Sequence, residues 1–298
     1  MVCTPALILS SALLSILPAA AQSAPAQTPA PPPVQTPSRD QIDQQIETQA
    51  IALRNSGDAP GAIAVLQQAC QSMPNDSRLL ADLGVLYLQS GMMQQSVATL
   101  NQVLQLEPEN AKALYGLARA DIELQQMPGA ETNMRHYLRL RPDDATAHYG
   151  MGRIFSMLQQ SSDARAEFER SIQLMPGQVE SYYELGQLDL DAGDLARSTE
   201  EFQQALSRNP QHGGALAGLG IAAYRGKNYP EAIRELELAI KAAPGYQPSH
   251  YYLGLSLARS GRKDDSEREL KIAADMAEKQ QAARSRPTPA PAQNPPPR

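Results

Sequence analysis

The sequence predicts an all-α solenoid of stacked antiparallel helix pairs, and three observations carry that prediction. Pro74, Pro108, Pro142, Pro176, Pro210 and Pro244 are separated by 34 residues each time, without a slip. Small residues recur on the same period at Gly84, Ala118, Gly152, Gly186, Gly220 and Gly254, each preceded by a large apolar residue: Leu83, Leu117, Met151, Leu185, Leu219 or Leu253. A large side chain beside a minimal one lets a helix seat a knob where its neighbour's backbone approaches closely. The intervening segments follow a helical period, as in 231–242, where Ile233, Leu236 and Ile240 share one face and charged residues mostly occupy the others.

Within each unit the elements follow in order. The first helix carries the large-small pair and ends at a turn marked by Gly57, Gly91, Gly193 and Gly261, where a positive φ costs glycine little. Pro60, Pro128 and Pro230 share one place in the repeat, the first turn of the second helix, where proline removes no internal hydrogen bond. That helix presents Leu66, Leu100, Met134, Phe168, Phe202, Leu236 and Leu270, followed three positions later by Ala69, Val103, Tyr137, Ser171, Ala205, Ala239 and Ala273. The periodic prolines at 74 and its equivalents then stop it. Neither helix can hide its apolar face alone, so successive pairs must stack.

These residues resemble the tetratricopeptide repeat family, over windows 77–110, 111–144, 145–178, 179–212, 213–246 and 247–280, with a partial unit at 43–76. The resemblance implies a right-handed solenoid with a concave and a convex face, and a protein or peptide ligand. The sequence departs from the family pattern at its first aromatic position, held by Leu80, Leu114, His148, Tyr182, Leu216 and His250. It departs again further along the first helix, where Tyr87 and Phe155 fit but Asp121 and Asp189 do not. Those two carboxylates are expected to loosen local packing. Gln49-Ala50 replaces the large-small pair in the partial unit, which reads as an N-terminal cap, while the charged stretch 264–284 reads as the C-terminal one.

The ends of the chain differ from its middle. The apolar run 6–17 followed by Ala19-Ala20-Ala21 predicts a signal peptide over 1–21, although only the terminal amine supplies positive charge ahead of it. Residues 22–42 read as a proline-rich linker, 43–284 as the solenoid and 285–298 as a proline-rich tail, segments rich in proline favouring extended, solvated chain. Export to the periplasm or beyond, with peripheral envelope association, is the expectation. A net charge of -6 without a basic run argues against nucleic acid as the partner. Removing the signal would leave Cys70 as the sole thiol, within an apolar helical pattern that suits packing better than chemistry.

Nothing in the sequence recommends an active site, cofactor or metal. His136, His148, His212 and His250 lack metal-ligand spacing, and His148 and His250 share one repeat position, where they read as packing substitutes for an aromatic residue. Asp143-Asp144 and Asp264-Asp265 sit near helix starts, where carboxylates cap free amides. No HExxH, CxxC, GxSxG or GxxxxGK[ST] string occurs.

The candidate binding residues are Tyr115, Tyr149 and Tyr183 in three consecutive repeats, with Tyr251 returning two units later. In the family this position points to the concave surface, so the rings form either a ladder for an extended peptide or helix, or padding between helices. Lys112, Arg119, Arg153 and Arg225 accompany them, with Glu180, Gln187 and Arg259 nearby. The reading is therefore a non-enzymatic interaction scaffold or adaptor. Its alternatives are a holding chaperone or assembly factor for exported clients, and a substrate-recruiting subunit of an envelope enzyme. The sequence leaves partner identity and oligomeric state open.

Overall fold

A computed structural model describes residues 38–284; the predicted signal, most of the leader and the tail lie outside the described residues. The described chain is fourteen helices without a strand. They run α1 (Arg39–Asn55), α2 (Ala59–Ser72), α3 (Ser77–Gln89), α4 (Met93–Leu106), α5 (Ala111–Glu123), α6 (Met127–Leu140) and α7 (Ala145–Met157). The second half continues as α8 (Ser161–Leu174), α9 (Val179–Ala192), α10 (Leu195–Arg208), α11 (Gly213–Arg225), α12 (Tyr229–Ala242), α13 (Gln247–Arg259) and α14 (Lys263–Arg284). Each helix packs on the next, and first helices also touch the first helix of the following pair, as α3 does α5 and α11 does α13. First helices thus line one face of a right-handed solenoid and second helices the other.

The periodic small residues are seats, as the sequence predicts, and two of the seated side chains are held from both sides. A Cβ on Gly186 would lie 2.6 Å from the Phe202 ring, and one on Gly218, in the next repeat, 2.4 Å from the same ring. Leu100 is held in the same way between Gly84 and Gly116, at 2.5 and 2.7 Å. One second-helix side chain therefore locks its own first helix and the first helix of the following unit. Phe168 sits on Gly152, Leu236 on Gly220 and Leu270 on Gly254 by the same contact. All of the large-small residues are buried except Leu219, which is half-buried.

The turns keep the repeat period more faithfully than their residues do. Gly57, Gly91, Gly193 and Gly261 have φ between 75° and 86°, as expected. Gln125, Gln159 and Lys227 occupy the equivalent place in the other units and take φ of 58°, 60° and 62°. Side chains with a Cβ resist this conformation, so the interhelix turn imposes it on them. Pro60, Pro128 and Pro230 lie in the first turns of α2, α6 and α12.

Two expectations need correction. The helical region starts at Arg39, within the segment read as linker, because Ser38 and Gln41 form a reciprocal cap: Ser38 Oγ accepts from Gln41 N at 3.3 Å and Gln41 Oε1 from Ser38 N at 2.8 Å. Asp121 and Asp189 do not leave loose packing, since both are buried against a partner. Arg165, from the second helix of the preceding unit, forms a short charged bond to Asp189. Asn133 Nδ2 donates to Asp121 Oδ2 at 3.1 Å. Polar pairs fill the space of the missing aromatic ring.

Candidate functional site

The three consecutive tyrosines stand half-buried on the face lined by first helices, each leaning on the second helix of its own unit. Tyr149 and Phe168 ring centroids are 6.0 Å apart, as are Tyr183 and Phe202, while Tyr115 meets Tyr137 at 5.1 Å. Tyr183 also packs on the His212 ring at 5.0 Å, and its hydroxyl accepts from Gln187 Nε2 at 2.8 Å. Burial raises all three phenol pKa values, that of Tyr149 to about 12, so all three hydroxyls are neutral. All three rings pack on the core, and Tyr115 also lines a cleft. Tyr251 differs, at 43% exposure with its edge against Tyr252.

The structure gathers only some of the predicted cations around these rings. Lys112, Tyr115 and Arg119 line a cleft of about 920 Å³, floored by Val85 and Leu88 and walled by Tyr137 and Met175. The Lys112 ammonium is paired with Asp82 through a short contact. Tyr137 donates to Asp144 at 2.6 Å, and Asp144 accepts from Thr146 N and Ala147 N at 2.9 and 3.0 Å, so that carboxylate is committed to capping α7. Arg119 is exposed and makes no hydrogen bond or ion pair among the described residues. The side chain of Arg141, which also lines the cleft, is likewise exposed without a hydrogen bond or ion pair among the described residues, so two guanidinium groups are its available charge.

The remaining candidates are placed elsewhere. Arg153, one repeat on, faces Glu184, whose pKa burial raises while the guanidinium opposes the rise. Glu180 meets His212 Nε2 at 3.3 Å, and His212 Nδ1 accepts from Ala215 N at 2.9 Å to cap α11. Arg225 is spent on the Leu190 carbonyl through a short bond. His148 and His250 do more than fill an aromatic position: Nδ1 lies 2.6 Å from the Glu167 carboxylate or 2.7 Å from that of Glu269, and Nε2 lies 2.9 or 3.2 Å from the carbonyl oxygen of Pro142 or Pro244. Each ties a helix pair to the proline that ends the preceding one.

Sequence reasoning missed Tyr137, taken as part of the packing series, and the rings of Tyr224, Tyr229 and Tyr252. Tyr224 precedes Tyr252 by 28 residues, off the 34-residue period, so no periodic signal joins them. Cys70 is half-buried between two apolar clusters, and burial raises its thiol pKa to about 11, an inert position. Among the described residues no group of three or more His, Cys, Asp or Glu is placed to hold a metal, and no helix is long and apolar enough to cross a membrane.

A face of stacked first helices carrying rings and a free guanidinium defines a helical-repeat interaction scaffold. Tetratricopeptide repeat models match residues 53–104, 91–154 and 183–247, more than half of the sequence, and the chain belongs to the tetratricopeptide repeat family. No curated protein matches it. Among solved structures, a tetratricopeptide repeat protein from Parabacteroides merdae is similar at 18% identity, covering 81% of this chain and 95% of that one, with a TM-score of 0.66. PilW, described as a widely conserved type IV pilus biogenesis factor, is similar at 18% identity, covering 73% and 99%, with a TM-score of 0.64. YrrB, described as having an unusual peptide-binding site, is similar at 19% identity, covering 62% and 95%, with a TM-score of 0.51. At these identities the likeness is one of fold.

Proposed function

We propose that this protein is a non-enzymatic scaffold of the cell envelope that holds an extended peptide or a helix of a partner protein in its concave groove. The observation that carries the reading is the cleft of Tyr115 and Arg119, where an unpaired guanidinium stands beside an apolar floor and an aromatic wall. A segment with an acidic side chain next to apolar ones matches that surface in charge and shape. The apolar run at 6–17 supports export. The fold shared with a pilus biogenesis factor and with a peptide-binding repeat protein is consistent with assembly by recruitment.

The test is fluorescence anisotropy of the protein with a panel of labelled peptides that vary in charge and in apolar content. Peptides with an acidic residue beside apolar ones are expected to bind best, and Arg119→Glu to weaken them at least tenfold without changing thermal unfolding. Tyr115→Phe keeps the ring contact and separates hydroxyl recognition from packing, which Tyr115→Ala would confuse. Uniform weak binding across the panel would assign the protein a holding role for unfolded clients instead. Binding indifferent to charge reversal at both Arg119 and Arg141 would remove this cleft as the site.

A further inference from the structure

Four tyrosines meet where α11, α12 and α13 come together. Tyr229 and Tyr224 have ring centroids 5.9 Å apart at 53°, Tyr224 and Tyr252 5.4 Å at 67°, and Tyr252 and Tyr251 5.4 Å at 83°. Successive rings are thus inclined rather than stacked; Tyr224 and Tyr252 pack on the core behind them, and Tyr251 is the exposed end of the series. Tyr251 is 43% exposed, and none of the four hydroxyls makes a hydrogen bond among the described residues. A surface of inclined rings with free phenolic donors suits a proline-rich segment, whose flat rings lie on aromatic faces and whose carbonyls lack internal partners.

We propose that this cluster receives the proline-rich segment 285–298 of its own chain. The path of α14 brings that segment near. Gly254 of α13 seats Leu270, and His250 reaches Glu269, so α14 returns antiparallel along α13 and leaves it beside the turn that carries Tyr251. From there to Arg284 the helix runs on by about ten residues, roughly 15 Å at its usual rise. The segment that follows has fourteen residues, six of them proline. At about 3.1 Å per residue an extended proline-rich chain of that length spans roughly 40 Å, enough to double back to the rings. The composition supplies ring faces and few backbone donors; the cluster supplies rings and hydroxyls. This site uses α11 to α13 and stands independently of the Tyr115 and Arg119 cleft.

The test compares the full-length protein with a full-length chain in which Pro287, Pro289, Pro291, Pro295, Pro296 and Pro297 are all replaced by Ser. Tyrosine-labelled NMR spectra are recorded for both, with ring signals assigned through Tyr251→Phe and Tyr252→Phe. The Tyr251 and Tyr252 ring signals are expected to shift when the prolines are removed, and Tyr115 signals to stay. Adding a synthetic peptide of residues 285–298 to the substituted chain is expected to restore the shifts. Identical Tyr251 and Tyr252 signals in the two chains overturn the assignment. A difference that appears only as protein concentration rises also overturns it, giving the site to a second copy.

Discussion

At the scale of single residues, the fold tolerates polar replacements where each finds a partner, and Asp121 is the weakest case. It is 5% exposed and receives one neutral donor, Asn133, whereas Asp189 has a guanidinium. Burial raises the Asp121 pKa and the Asn133 bond lowers it, with burial the larger effect. A carboxyl with a raised folded-state pKa fits when neutral, and that fit is lost as pH rises through the folded value. Asp121→Asn is therefore expected to raise the melting temperature at pH 7, by about 2–4 °C for roughly 1 kcal/mol, and to leave it nearly unchanged at pH 3. A lower melting temperature at pH 7 would show that the carboxylate is required. The sequence shows both carboxylates as departures from a pattern, but not Arg165 and Asn133, which stand across a helix interface. Ser249 is similar. Ser181 Oγ donates to Ser171 at 3.0 Å, but two repeats later Ala239 stands in the place of Ser171, and the buried Ser249 hydroxyl has no partner among the described residues.

At the scale of helices and turns, most of the architecture is legible because it repeats: helix pairs, terminating prolines, first-turn prolines and glycine turns all fall on one period. The turns occupied by Gln125, Gln159 and Lys227 escape a reading based on glycine, since their positive φ is dictated by register and not by residue type. Left-handed backbone costs an ordinary residue roughly 1 kcal/mol, partly offset by the greater unfolded-state freedom of glycine. Gln159→Gly is therefore expected to stabilise by about 0.5 kcal/mol, and the same change at Gln125 and Lys227 to add to it, because these turns lie in separate units. Chemical denaturation of the single and triple variants measures this, and a destabilised triple variant would mean the side chains contribute contacts that outweigh the strain. The candidate binding surface was less legible than the turns. Periodicity located Tyr115, Tyr149 and Tyr183 but could not separate lining from packing, since a residue on a first helix does both. It also could not find Tyr224 with Tyr252, whose contact crosses between units at unequal repeat positions.

At the scale of the molecule, stability is a chain of neighbour contacts, with no closing interaction between the first and last helices among the described residues. Removing residues 179–212 joins two equivalent points of the repeat and sets Gly218 beside Phe168, as it now stands beside Phe202. The shortened protein is expected to fold with unchanged helicity per residue by circular dichroism, Arg165 turning to solvent in place of Asp189. Loss of helicity would mean that the units are not interchangeable. The doubly seated side chains carry a consequence for how the molecule meets its surroundings. Because Leu100 and Phe202 each fix two layers at once, the rings and charges along the inner face are held like marks on a calliper, spaced in steps of one repeat. Adding or losing a unit would reset the distance between two marks without reshaping either, so the length of whatever lies across them is measured in whole layers.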